Sequence, residues 1–169
     1  MLLAPEAFRR EALSETFRYY EGVTTGDSSL SAAIQATAAA TVNQFAVADH
    51  HFDQALFLDL ANTHGNTGDG VHLANSGGIW SGVIIGMAVL TLRADGVELA
   101  PTGWCIGEQV SALIHIRESL LQLIIRPEGT TIELKDGEPI ALISKGRSTA
   151  IDATPIFIPA VFPSTPQHR

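Results

Sequence analysis

Val71-His72-Leu73-Ala74-Asn75-Ser76-Gly77-Gly78-Ile79-Trp80-Ser81-Gly82-Val83-Ile84-Ile85-Gly86-Met87-Ala88-Val89-Leu90-Thr91-Leu92 runs for 22 residues without one Asp, Glu, Lys or Arg. A stretch of about 20 apolar residues is long enough to cross a bilayer. Gly78, Gly82 and Gly86 also repeat at the four-residue spacing of membrane helix dimers. Against a membrane, the run opens on His72, Asn75 and Ser76, which shortens its apolar core to residues 79–92. Neither end carries a Lys/Arg cluster or an aromatic belt. The same glycines let a neighbouring helix come close inside a protein. A buried helix is the expectation, and no membrane partner.

The character of the chain changes where this run ends. Residues 1–91 hold three basic side chains, Arg9, Arg10 and Arg18, against nine acidic ones. Residues 92–169 hold seven against nine, and seven of the eight prolines. The first part is punctuated for helices. Pro5 stands ahead of a stripe of Phe8, Leu13 and Phe17, which Gly22 would stop. Asp27, Ser28 and Ser29 offer N-caps to the alanine-rich residues 30–42. Asp49 or His51 would open a third helix through Phe52, Ala55, Leu56, Leu58 and Leu60.

The second part reads as strands over residues 112–117, 120–126, 130–135 and 140–144. Pro127-Glu128-Gly129 is a turn, and Asp136-Gly137 is a two-residue hairpin signal. Pro155, Pro159, Pro163 and Pro166 make the tail irregular. Two domains, 1–91 and 92–169, follow from this division.

Composition closes off several functions. Of 169 residues, 46% are hydrophobic and 17% charged, which supports a packed core rather than a disordered chain. A net charge of −8 argues against a nucleic-acid partner, which needs clustered Lys and Arg. The single cysteine, Cys105, excludes a disulfide framework, and no charged neighbour in sequence lowers its pKa for nucleophilic work.

Ahead of the apolar run stands Asn62-Thr63-His64-Gly65-Asn66-Thr67-Gly68-Asp69-Gly70-Val71-His72. Its histidines, asparagines and threonines offer hydrogen bonds, its glycines let backbone N–H groups approach a ligand, and it leads into a helix N-terminus, which favours anions. The bland alternative is a turn that only joins helices. Neither a Walker loop nor a G-x-G-x-x-G fingerprint is present. His50, His51, His64, His72 and Asp69 lack H-E-x-x-H or comparable ligand spacing, and adjacent histidines diverge by about 100° on a helix, so no metal is expected. There is no G-x-S-x-G elbow, and Ser28 and Ser29 read as caps at least as well as ligands. His50, His51 and His115 read as solvated or packing residues, and Trp80 and Trp104 as core.

Four pieces carry a resemblance. Phe17-Arg18-Tyr19-Tyr20-Glu21, Thr24-Thr25-Gly26-Asp27-Ser28-Ser29-Leu30-Ser31, Asp59-Leu60 with the loop after it, and Ser76-Gly77-Gly78-Ile79-Trp80 together resemble glycoside hydrolase family 65. That is the family of maltose, trehalose and kojibiose phosphorylases. The similarity runs from about Pro5 to about Ile143, with Gly26 where many relatives carry histidine.

The resemblance implies an α+β chain. Residues 1–91 would be the last helices of an (α/α)6 barrel, and residues 92–169 a small C-terminal antiparallel β-sandwich with an irregular tail. It also implies inverting chemistry, in which a glutamic acid protonates the glycosidic oxygen and inorganic phosphate attacks the anomeric carbon from the opposite face. In the family a lysine, a histidine, and serine or backbone donors grip the phosphate. Carried over residue by residue, His72 is the first phosphate ligand, cationic or donating one N–H, with Ser28, Ser29, His64, Gly65 and Thr67 as neighbours.

The family's general acid and phosphate lysine belong to segments that precede the matching region. No catalytic residue is therefore expected here, and the chain reads as a C-terminal fragment, inactive alone. The implied partners are a disaccharide and phosphate, with a homo-oligomer or a complementing N-terminal half. No cofactor is implied beyond phosphate as co-substrate, and the setting is cytoplasmic. A non-catalytic remnant or binding module, and a hydrolase relative, are the alternatives.

Overall fold

The computed structural model describes residues 9–144 and 147–161. Pro5, Phe8, Pro163 and Pro166, on which parts of the helix and tail readings rest, lie outside the described residues. The chain divides into two compact units, Met1–Gly86 and Met87–Arg169.

The first unit contains α1 (Arg10–Glu21), α2 (Ser31–Thr41), α3 (Phe45–Phe57) and α4 (Leu73–Ser81). In α1, Leu13 and Phe17 lie four apart and are both buried, and Gly22 is the C-cap. Helix α2 needs no side-chain cap, because alanine alone favours it strongly. Its N-cap is Leu30, so Ser28 does not cap it directly; the Ser28 hydroxyl accepts the Leu30 N–H at 3.3 Å, in the turn just before the helix. Helix α3 opens at Phe45, ahead of the expected Asp49 or His51. The reason is Asn43, whose φ of 62° turns the chain sharply in a conformation asparagine tolerates. The link from α2 is therefore only residues 42–44.

The apolar run after His72 is not one helix. Helix α4 ends at Ser81, a wider π turn follows over Gly82–Met87, and Leu90–Leu92 is already a strand. Val89, at φ 49°, marks the change of direction. The close approach expected of the glycines is found. A Cβ on Gly78 would stand 2.7 Å from the Ala33 Cβ, and one on Gly82 2.7 Å from the Phe52 ring. Helix α4 thus lies hard against α2 and α3. Among the described residues no helix is long and apolar enough to cross a membrane. Trp80, expected in the core, is 47% exposed, whereas Trp104 is buried.

The second unit is two four-stranded sheets. One is ordered β1 (Leu90–Leu92), β2 (Gly96–Leu99), β6 (Ile140–Ser144), β7 (Arg147–Ile151). The other is ordered β3 (Val110–Ile116), β4 (Ser119–Arg126), β5 (Gly129–Asp136), β8 (Ile156–Pro159). Strict alternation buries Leu121, Leu123 and Ile125 on one face of β4.

Three features depart from the expectation. Strands β2 and β6 pair in parallel, so the unit is not wholly antiparallel. Asp136-Gly137 does not close a hairpin, because β5 and β6 belong to different sheets. Gly137 does take the left-handed φ that the signal asks for, +91°, but there it passes against the Glu118 carbonyl, and the Ser119 hydroxyl donates to Glu138 O at 2.6 Å. The signal reports a bend, not the partner of the next strand. The tail is also more regular than its prolines suggest: β8 pairs with β5 from Ile132↔Ile156 to Gly129↔Pro159, on a sheet edge where proline is tolerated.

Candidate functional site

The helical unit holds a cleft of about 400 Å³ whose lining includes Glu21, Ser28, Ser29, His51, Thr63 and His64. Three chain segments build it. Glu21 is the last residue of α1, the serines lie in the turn before α2, and Thr63 and His64 follow the end of α3. Beyond Phe57 the chain tightens through Ala61 N–H to Phe57 O (2.8 Å) and Thr63 N–H to Leu58 O (3.0 Å). Asn62 and Gly65 then adopt left-handed φ values of 50° and 68° on either side of Thr63 and His64.

The carboxylate in the cleft is not free. Glu21 meets His51 Nε2 at 2.8 Å, and its other oxygen accepts from Gln35 Nε2 at 3.3 Å. The His51 Nδ1 faces Gln54 Oε1 at 3.2 Å. His51 is therefore a buried, doubly engaged packing residue, as its place on α3 requires.

The loop of residues 62–72 is clamped at its far end. The His72 backbone N–H donates to Asp59 Oδ2 at 2.9 Å, and His72 Nδ1 meets Asp59 Oδ1 at 2.6 Å. An ionised carboxylate only accepts, so Nδ1 carries the proton. These bonds hold the Asp59 carboxyl below its ordinary pKa, the ring bond contributing most and the backbone bond next. His72 is also the N-cap residue of α4. Its ring stands edge-on to that of His64, 6.4 Å between centroids at 86°.

The structure thus brings Ser28, Ser29 and His64 to one cleft. His72 stands beside His64 rather than in the lining, with Asn66 Nδ2 at 3.4 Å from its Nε2. Gly65 and Thr67 shape the loop: Gly65 N–H donates to Asn62 O at 2.9 Å and Thr67 N–H to Asn62 Oδ1 at 3.1 Å. Asp59, quoted in the sequence only as part of the resemblance, is the residue to which sequence reasoning gave no role in the site. It lies thirteen positions before its partner, a separation no helix or hairpin rule links.

Cys105 lies half-buried in the β unit with its pKa raised by burial, so its thiol stays protonated near neutral pH. Among the described residues no three His, Cys, Asp or Glu side chains converge as a metal site.

Residues 1–81 match the model of the glycosyl hydrolase family 65 central catalytic domain. The chain is 33% identical over 135 residues to an alpha,alpha-trehalose phosphorylase of Geobacillus stearothermophilus, covering 80% of this chain and 18% of that one. It is 31% identical over 156 residues to a kojibiose phosphorylase of Caldanaerobacter subterraneus, covering 89% and 20%. The chain therefore spans about one fifth of the length of these relatives. A solved structure from the human microbiome, described as a kojibiose phosphorylase, superposes with a TM-score of 0.84 at 24% identity, over 98% of this chain and 24% of the other. These matches agree with one another, and the chain belongs to glycosyl hydrolase family 65.

Proposed function

We propose that this chain carries the phosphate side of an inverting disaccharide phosphorylase, which converts a disaccharide and inorganic phosphate into glucose 1-phosphate and a free sugar. The observation that carries the reading is the convergence of Ser28, Ser29, Thr63 and His64 on one cleft beside the start of α2. Hydroxyls, an imidazole and the N–H groups near a helix start are donors suited to an oxyanion. Donors on the spectator oxygens hold phosphate in line while its attacking oxygen stays free. His72 reaches the same phosphate from beside His64, at the head of α4, and Gly65 and Thr67 shape the loop between the two histidines.

The general acid in this reading comes from another part of the enzyme. Glu21, the carboxylate in the cleft, is committed to His51 and Gln35. The helical unit would be the closing helices of an (α/α)6 barrel in a cytoplasmic enzyme. Tyr19, Tyr20, Ile34, Phe57, Leu60 and Leu73, all exposed, supply apolar surface for the remaining barrel helices or for a second copy of the chain.

Calorimetric titration with inorganic phosphate tests the site. The chain should bind phosphate, and the double variant Ser28→Ala, Ser29→Ala should bind it at least about tenfold more weakly, the scale of one lost charge-assisted hydrogen bond. Trehalose, kojibiose or maltose with phosphate should yield glucose 1-phosphate only when the rest of a barrel is supplied. Phosphate-independent release of glucose by that complemented enzyme would mean a hydrolase. No phosphate binding at all would remove the reading.

A further inference from the structure

We propose that Asp59 is the positioning residue of this site: it fixes the ring and backbone of His72 together, and through His72 it holds His64 against the cleft. The proposal rests on the phosphate reading above. One carboxylate makes two short bonds to a single residue, 2.9 Å to the His72 N–H and 2.6 Å to its Nδ1. A ring bonded at Nδ1 while its own backbone is held by the same group has no free rotation. Its Nδ1–H tautomer is set as well, because the ionised carboxylate only accepts.

That leaves Nε2 as the exchangeable nitrogen. In this tautomer the Nε2 lone pair accepts, and its contact with Asn66 Nδ2, at 3.4 Å, is long for a hydrogen bond, so the P–OH of a hydrogen phosphate can replace the Asn66 NH2 at small cost. The His72 ring also supplies the edge-on neighbour of His64, which lines the cleft with Ser28 and Ser29. The loop between them has little regular structure to hold its shape. Asn62, Gly65 and Gly70 all take positive φ, and only the short turn Thr67–Asp69 repeats. The Asp59–His72 pair therefore closes the loop by tying its end back to the turn after α3.

Replacing the carboxylate with an amide separates the two functions. In Asp59→Asn the side-chain oxygen can still accept the His72 N–H, but the NH2 group faces Nδ1 and drives its proton to Nε2. The experiment uses the full chain with 15N-labelled histidine, long-range 1H–15N correlation of the rings, and calorimetric titration with inorganic phosphate.

The unmodified chain should show His72 protonated at Nδ1, with His64 and His72 signals moving together as phosphate is added. Asp59→Asn should move the His72 proton to Nε2, which then no longer accepts the P–OH, and weaken phosphate binding about tenfold, with helical content unchanged. A folded Asp59→Asn chain that binds phosphate as tightly as the parent overturns the proposal, as does a parent His72 protonated only at Nε2. If Asp59→Asn does not fold, His72→Asn carries the test, since it keeps the backbone bond to Asp59 and removes the ring. Unchanged phosphate affinity in that variant overturns the proposal, and about tenfold weakening supports it. Should the parent bind no phosphate while Asp59→Asn still moves the His72 proton, the phosphate reading fails and the Asp59 clamp on His72 stands.

Discussion

In the helical unit the most deeply buried side chains include the smallest: Ala33, Ala36, Ala39, Ala40, Ala48 and Ala55 lie at or near zero exposure. In the β unit they are Leu121, Leu123, Ile125, Ile132, Leu142 and Ile151. The large apolar side chains of the helical unit lie largely outside, with Leu60 78% and Leu73 76% exposed. The β unit thus draws its stabilisation from aliphatic burial, at about 25 cal/mol per Å². The helical unit instead brings backbones together, with Gly78 on Ala33 and Gly82 on Phe52. Tight backbones hold the ends of α2 and α3, from which the serines and His64 extend, in fixed places.

The largest effect expected from this contrast is in the β unit. Leu123→Ala removes a fully buried side chain from the middle of β4 and should cost about 2–5 kcal/mol. Hydrogen exchange of the β3, β4 and β5 amides would read it. A cost under 1 kcal/mol would mean the aliphatic core is looser than its burial implies. Gly82→Ala should come next, at about 1–3 kcal/mol, because the added methyl meets the buried Phe52 ring. Its readout is exchange of the α2, α3 and α4 amides. A neutral result there would break the comparison, since it would show that α4 does not depend on backbone approach.

How far the sequence reveals each unit follows the same line. Strand β6 matches residues 140–144, and β4 begins one residue before the expected position, because alternation is local and survives in any sheet partnership. Partnership itself is not local. Nothing in Asp136-Gly137 shows that Glu118 lies under Gly137, so the crossing between sheets was illegible. In the helical unit, Gly78 and Gly82 announce close packing, but the change from helix to π turn to strand within one apolar run has no compositional mark. At the site, the loop of residues 62–72 stands out by its donors. Asp59 belongs to the stretch that carries the resemblance, but its role does not show there, because nothing local ties its carboxylate to His72 thirteen positions on.

Acid should separate the units further. Asp59 has its pKa lowered by His72, so its contribution to stability is present above the unfolded value of about 4. That contribution is lost as pH falls through the lower folded value. Exchange protection around the loop and the start of α4 should therefore fall off below about pH 4, and in Asp59→Asn this part of the acid dependence should be absent. In the β unit, among the described residues, Cys105 has its pKa raised by burial, and its titration lies on the alkaline side. An acid profile that Asp59→Asn leaves unchanged would count against a bond between Asp59 and His72 in solution.

The smallest effect on stability is expected where a large apolar residue serves no interior. Ile34 lies on α2 yet is 49% exposed, flanked by a groove of about 690 Å³ whose lining includes Phe17, Tyr20, Leu30 and Ala38. Ile34→Ser should change the exchange free energy of α2 by less than about 0.5 kcal/mol, since a surface position loses little transfer energy. Light scattering should nevertheless show a larger monomer fraction, because an apolar groove with exposed isoleucine invites self-association. The two readouts move apart only if Ile34 faces outward for a partner. A stability loss near 2 kcal/mol would place Ile34 in the interior of the helical unit and erase its difference from the β unit at this position.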